Sequence, residues 1–254
     1  MKMFMGDEDL AAAIAELAGK TLLDVAASNL WTGKERGRIA ELMINGLTLA
    51  ALVANRPDDP VLSEEGNGGA RDKSGRCWII DPLDGTREFV EGRDDWAVQI
   101  GLAVDGRPAV GAVSVPRKRL LLRSDRPPPL PCIEAEVRIL VSRTRPAAEA
   151  GEIAALLHAK LIPLGSVGAK IAALLAGEAE IYLHSGGQSQ WDSCAPVAIA
   201  IAAGFDATRL NGEPLVYGGD DPVLPDLVVS HPEITSRFRA ALAEIGERAA
   251  EAVG

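Results

Sequence analysis

Between residues 10 and 25, and again between 39 and 53, apolar residues recur every three or four positions, the spacing of amphipathic helices that lay one face on a sheet. The second pattern stops near Arg56-Pro57. Shorter runs follow. Val61-Leu62 predicts a brief strand leading to Ser63-Glu64-Glu65, then a polar, glycine-rich loop over 66–76, and 77–80 predicts a buried strand. Segments 96–104 and 109–115 read as two strands joined at Asp105-Gly106, with a further strand over 118–123. Pro127, Pro128, Pro129 and Pro131 make the sharpest break and predict a linker between an N-terminal α+β half, 1–126, and a C-terminal α/β half, 127–254. Beyond it, strands at 138–141, 161–164, 179–183 and 227–229 alternate with helices at 147–159, 165–175, 192–203 and from Ser236 to Ala252. That alternation predicts an α/β fold.

Composition narrows the function. The 254 residues carry a formal net charge of −10, which argues against a nucleic-acid groove. A phosphate-handling site on such a chain needs local cations, most simply bound metal ions. Cys77, Cys132 and Cys194 lie far apart, as do His158, His184 and His231, so neither a disulfide framework nor a Cys/His zinc site is expected. The first nine residues are too short and too acidic for a signal peptide, and the apolar run 195–205 is too short to span a membrane. The expectation is a soluble cytoplasmic protein.

The run Trp78-Ile79-Ile80-Asp81-Pro82-Leu83-Asp84-Gly85-Thr86-Arg87-Glu88-Phe89 carries the candidate chemistry. A buried strand is expected to end at Asp81, turn at Pro82 and start a helix near Asp84. Asp84 then serves as N-cap, and Gly85 and Thr86 offer free backbone N–H groups. Two hard oxygen ligands beside an anion-binding helix terminus suggest a divalent metal and phosphate. Glu64, at the end of the short strand, could join them. Three converging carboxylates are unfavourable unless cations neutralise them, and magnesium suits oxygen donors. The bland alternative is a strand end, a helix cap and a solvent-facing glutamate. A second segment, Gly186-Gly187-Gln188-Ser189-Gln190-Trp191-Asp192-Ser193-Cys194-Ala195-Pro196, places Asp192 at the start of a very apolar helix, where capping alone would explain it.

Taken together, WIIDPLDGT, WDSCAP and the SEE at 63–65 resemble the inositol monophosphatase superfamily of metal-dependent, lithium-sensitive phosphatases. Within it, VLSEE, DPLDGTREF, GRDDWAV at 92–98, GSVGAK at 165–170 and YLHSGGQSQWD at 182–192 are similar to bacterial CysQ-type 3'(2'),5'-bisphosphate nucleotidases. The resemblance implies a layered α/β/α/β/α sandwich, two or three Mg2+ ions, lithium as an inhibitor and a homodimer. It also implies Glu64, Asp81, Asp84, Asp192 and the Leu83 carbonyl as metal ligands. Thr86 would orient the attacking water with an acidic partner 23 residues before Glu64, which is Glu41, a glutamate where the family has aspartate. The family's lysine- and aspartate-bearing hairpin is replaced by residues 31–38, with Lys34 and Glu35 as its nearest counterparts.

The implied substrate is a small-molecule phosphate ester, with no nucleic-acid polymer or membrane as partner. Its phosphate would meet the N–H groups of Gly85 and Thr86 and bridge to Asp192 through the metals. Ser142, Arg143, Ser166, Lys170 and His184 are the candidates for contacting the rest. Leu183-His184-Ser185 lacks the acidic residue of inositol-selective members, which favours 3'-phosphoadenosine 5'-phosphate, hydrolysed to AMP and phosphate. Inositol monophosphate or fructose 1,6-bisphosphate is the enzymatic alternative, and a non-catalytic nucleotide sensor or protein-binding scaffold the other. Cys194, in a small-residue helix, and Trp96 read as packed structural residues.

Overall fold

The computed structural model describes residues 5–66 and 75–251, so most of the predicted 66–76 loop, and Ala252 at the predicted end of the last helix, lie outside the described residues. In chain order the elements are α1 (Asp7–Ala27), α2 (Gly33–Asn55), β1 (Val61–Ser63), β2 (Arg76–Asp84), α3 (Thr86–Val90), β3 (Ala97–Val104), β4 (Arg107–Val115) and β5 (Leu120–Arg123). They continue with β6 (Arg138–Ser142), α4 (Ala150–Leu157), β7 (Lys160–Leu164), α5 (Val167–Leu175), β8 (Ile181–Ser189), α6 (Gln190–Ala202), β9 (Asp206–Thr208), β10 (Val223–Ser230) and α7 (Pro232–Glu251).

These elements stack in five layers. One sheet runs β1-β2-β3-β4-β5 and the other β7-β6-β8-β10-β9. The first is antiparallel except for β1 beside β2, whereas β6 pairs in parallel with both β7 and β8. Side-chain alternation along β2 shows how the layers form. Trp78 and Ile80 join Leu22, Ile44 and Leu52 of α1 and α2, while Cys77 and Ile79 join residues of α5 and α6. Burial on both faces explains why this strand reads as a continuous apolar run. On the far side, Ile139, Val141, Ile181 and Leu183 pack against Ile153, Leu157 and Phe238 of α4 and α7. The result is the α/β/α/β/α sandwich that the motif resemblance implied.

The middle layer binds the two sheets into one core, since α5 and α6 touch both. The segment of α6 from Cys194 to Ala200 is buried on every side and is apolar throughout. It sits very close to the first sheet because Gly101 and Gly111 are register partners beneath it. A Cβ on Gly111 would fall 2.2 Å from the Ala195 carbonyl oxygen, and one on Gly101 would fall 3.0 Å from the Ala195 nitrogen. Trp96 is buried as expected, edge-on to Phe89 at 5.0 Å between centroids.

Several boundaries differ from the sequence pattern. α2 begins at Gly33, so residues 33–38 are its first turns and form no hairpin. By length and composition α2 is apolar enough to cross a membrane, but here Gly37, Ala40, Ile44, Thr48 and Leu52 form a buried stripe within the fold. β2 continues past Asp81 to Asp84 through a bulge, and Gly85, not Asp84, is the N-cap of α3. β8 extends to Ser189, and α6 starts two residues before Asp192. β9 was not anticipated, because three residues are too few to display a period.

Gly111→Ala should lower the unfolding free energy by about 1–3 kcal/mol by overpacking the α6 contact. Urea titration should show an earlier midpoint with an unchanged slope.

Candidate active site

A cavity of about 460 Å³ opens where β1, β2 and β8 end and α3, α5 and α6 begin; its wall includes Glu64, Asp84, Thr86, Lys170, His184 and Asp192. The β2 bulge creates the acidic part. It spaces Asp81 and Asp84 so that both side chains are buried at the strand end, the kind of re-aiming that bulges provide beside sites. Asp81 lies behind the wall and accepts the Leu83 N–H at 2.9 Å. Asp84 accepts the Gly168 N–H at 2.8 Å and a short bond from the Gln99 amide. Gly168 permits this because a Cβ there would fall 2.7 Å from the Ala97 Cβ. Asp192 is not the N-cap of α6. It occupies the third helical position and accepts the N–H of the true cap, Ser189, at 2.9 Å.

Electrostatics ties these residues together. Burial, then Asp84, Glu64 and Asp192, push the Asp81 carboxyl well above the usual range. Burial and Asp192 raise Asp84 to about 7, against bonds from Gly168 and Gln99 and the charge of Lys170. Glu64 reaches solvent at the mouth, yet desolvation by the walls and the charges of Glu41, Asp192 and Asp84 lift it to about 7. Asp192 rises to about 6, chiefly through burial. Four carboxyls from three distant segments therefore resist ionising together. Hard oxygen donors in mutual repulsion fit a divalent cation, which would relieve that repulsion. Among the described residues no three Asp, Glu, His or Cys side chains already stand as a ligand set. Asp84 and Asp192 each direct one carboxylate oxygen, Oδ2, at the donors just named.

The pair expected to orient water is also brought together. Thr86 donates a short bond to Glu41, and its hydroxyl lies 3.2 Å from the Leu83 carbonyl. Gly37, one turn before Glu41, allows α2 this close: a Cβ there would meet Thr86 Cγ2 at 2.9 Å. Arg36 fastens the same helix to the Val90 carbonyl at 2.9 Å. Burial raises the Glu41 carboxyl, the Thr86 bond lowers it, and Glu65 raises it again. Gly85 adopts φ 89°, and a Cβ would also crowd Ser166 Cβ at 3.2 Å.

The expected substrate contacts divide. Lys170, a buried residue and not a solvated one, points its ammonium at the Gly165 and Ser166 carbonyls and over the Tyr182 ring at 5.2 Å. Desolvation lowers it to about 8 despite nearby Asp84 and Glu88. Ser142 and His184 line the cavity, and His184 Nε2 bonds the Gly187 carbonyl at 3.0 Å. Ser166 is buried and caps α5 by accepting the Ala169 N–H, so it does not present its hydroxyl to the cavity. Arg143 lines the cavity but is paired with Glu88 at 2.7 Å and Glu91 at 3.0 Å. Arg145, two residues on, is exposed at the mouth without an ion pair among the described residues. Sequence reasoning passed over it, although Ser142-Arg143-Thr144-Arg145 carries two cations straight after a strand. It also passed over Gln99 and Gln188, whose types gave no signal. Lys34 lines a shallower adjoining groove with Arg38, Glu41 and Thr86; Glu35 does not.

Buried hard oxygen donors beside a lysine suit a divalent cation and phosphate, and residues 8–247 match the inositol monophosphatase family, to which the chain belongs. Among its relatives is a 3'-phosphoadenosine 5'-phosphate phosphatase of Mycobacterium tuberculosis (strain CDC 1551 / Oshkosh), 44% identical over 245 residues, covering 89% of this chain and 90% of that one. The 3'(2'),5'-bisphosphate nucleotidase CysQ of Escherichia coli (strain K12) is 30% identical over 201 residues, covering 70% and 78%. The crystal structure of CysQ from Bacteroides thetaiotaomicron superposes with a TM-score of 0.78 at 27% identity, covering 90% of this chain and 98% of that one.

Carboxyls raised in the fold hold protons that the unfolded chain releases from about pH 4 upward. Their stabilising contribution is present at low pH and lost as pH rises through about 6 to 7. Melts in EDTA should therefore show declining stability from about pH 5 to 7.5. Millimolar Mg2+ at pH 7.5 should recover several degrees of Tm, roughly what saturating a weak site provides.

Proposed function

We propose that this protein is a magnesium-dependent phosphatase that hydrolyses the 3'-phosphate of 3'-phosphoadenosine 5'-phosphate, yielding AMP and phosphate. The reading rests on one observation above all. Glu64, Asp81, Asp84 and Asp192 share charge around a single cavity that also contains a buried lysine. The names of relatives at 40–44% identity support the substrate. Mg2+ held by these carboxylates and the Leu83 carbonyl would neutralise phosphoryl charge and acidify the attacking water.

The chain's own groups do the rest. Donating to Glu41, Thr86 Oγ1 keeps its lone pairs for a water proton, and Glu41 is placed to receive that proton. The Gly85 and Thr86 N–H groups begin α3 at the cavity edge and suit phosphoryl oxygens. Lys170 adds positive charge at the cavity wall. Arg145, free where Arg143 is neutralised, is the better cation for the phosphate that is not cleaved. No covalent nucleophile is required. Cys194 is fully buried, and burial pushes its thiol far up.

Glu41→Gln and Thr86→Ala should each reduce kcat by about 10²–10⁴-fold. Asp84→Asn and Asp192→Asn should abolish Mg2+-dependent turnover; nucleotide binding with phosphate release intact in neither wild type nor variants would favour a sensor. Parallel rates with 3'-phosphoadenosine 5'-phosphate, inositol 1-phosphate and fructose 1,6-bisphosphate should favour the first. A preference for either of the others by about tenfold, equivalent to 1.4 kcal/mol, would overturn the substrate.

A further inference from the structure

Two glutamines flank the start of α6, and the fold treats them in opposite ways. Gln190 is 2% exposed; its amide donates to the Asp221 carbonyl and accepts the Gly218 N–H, both at 2.6 Å. Gln188 is 7% exposed, yet neither its amide nitrogen nor its amide oxygen has a partner among the described residues. Tyr182, on the same strand and fully buried, also leaves its hydroxyl unpaired. Both residues line the cavity, as does His184 between them, and the unpaired atoms lie just beneath its surface, where a small turn of the side chain would bring them to a ligand. A buried amide with neither end satisfied destabilises a fold, and such groups ordinarily have a partner. The groups assigned to phosphate and metal leave these atoms unused.

The chemistry of the amide restricts what completes it. Its NH2 only donates and its oxygen only accepts. Phosphate oxygens accept but, when ionised, have nothing to donate, so phosphate alone cannot satisfy both ends. A ribose hydroxyl, or the amino group and ring nitrogen on an adenine edge, offers a donor and an acceptor side by side. His184 commits its Nε2–H to the Gly187 carbonyl, which leaves Nδ1 as a further acceptor on the same wall. The cavity of about 460 Å³ also has room for more than a phosphate.

We infer that Gln188, with the Tyr182 hydroxyl and His184 on the same wall, recognises the nucleoside part of the substrate and sets the preference for nucleotides over simpler phosphate esters. The substrate class rests on the proposed phosphatase reading; the existence of a nucleoside-binding wall does not. Calorimetric titration of AMP into wild type, Q188L and Q188M, beside thermal melts of the free proteins, tests it. AMP affinity should fall at least tenfold in both variants, with Tm unchanged or higher, because an unpaired buried amide has been removed. With Mg2+, the ratio of kcat/KM for 3'-phosphoadenosine 5'-phosphate over glycerol 2-phosphate should fall tenfold or more, mainly through KM. AMP affinity within twofold of wild type, or a Tm lower by several degrees in both variants, would overturn the inference. So would a loss of inorganic phosphate binding in step with AMP, which would put Gln188 at the phosphate. Wild type that binds AMP through Gln188 but releases no phosphate from 3'-phosphoadenosine 5'-phosphate would sink the phosphatase reading and leave this one standing.

Discussion

Four carboxyl groups crowd one end of the sandwich, and their mutual repulsion in a poorly solvated pocket constrains everything around them. Backbone and amide donors offset part of that repulsion: Leu83 N–H to Asp81, Gly168 N–H and Gln99 to Asp84, Ser189 N–H to Asp192. Lys170 supplies a buried positive charge beside them, and the acids in turn favour keeping it charged against desolvation. A scaffold that tolerates this strain is matched to a ligand that removes it. A divalent cation held among these oxygens would remove that repulsion by adding positive charge at their centre.

Holding the acids in place depends on backbones that approach closely. Gly37 lets α2 reach α3, so Glu41 can accept from Thr86; Gly168 lets α5 reach β3, so its N–H can meet Asp84. Gly101 and Gly111 seat α6 on the first sheet, which brings Asp192 from the second half of the chain to residues of the first. The site lies between layers, and its precision therefore comes from core packing more than from loops.

Charge is placed with similar economy on a chain of net −10. Arg143 and Arg145 differ by two positions, yet one is neutralised by Glu88 and Glu91 while the other, at the cavity mouth, has no ion pair among the described residues. Ser166 and Lys170 sit in one motif, yet the serine is used to cap α5 and the lysine to charge the cavity wall. Residue type alone could not separate these roles, because each pair offers the same chemistry until its neighbours are known.

Much of this was legible beforehand. The 3.6-residue period of α1 and α2, the apolar run of β2, the alternation after the proline break and the two acidic motifs are local properties, expressed by side chains a few positions apart. The same pattern put Asp84, Thr86 and Asp192 near element ends, whereas Asp81, expected to end its strand, lies inside β2. Local pattern misjudged the N-cap of α3 and the start of α6, since a bulge and a capping box are settled by hydrogen bonds and not by periodicity. By itself the chain determined which segments are helix or strand and which acids could bind cations. The resemblance had paired Glu41 with Thr86, but only the tertiary structure decided that, among the described residues, Arg145 and not Arg143 is without an ion pair and Gln188 is buried without a partner. Those outcomes arise from contacts across tens of residues, where the energy of a group depends on what packs beside it and not on what precedes it in sequence.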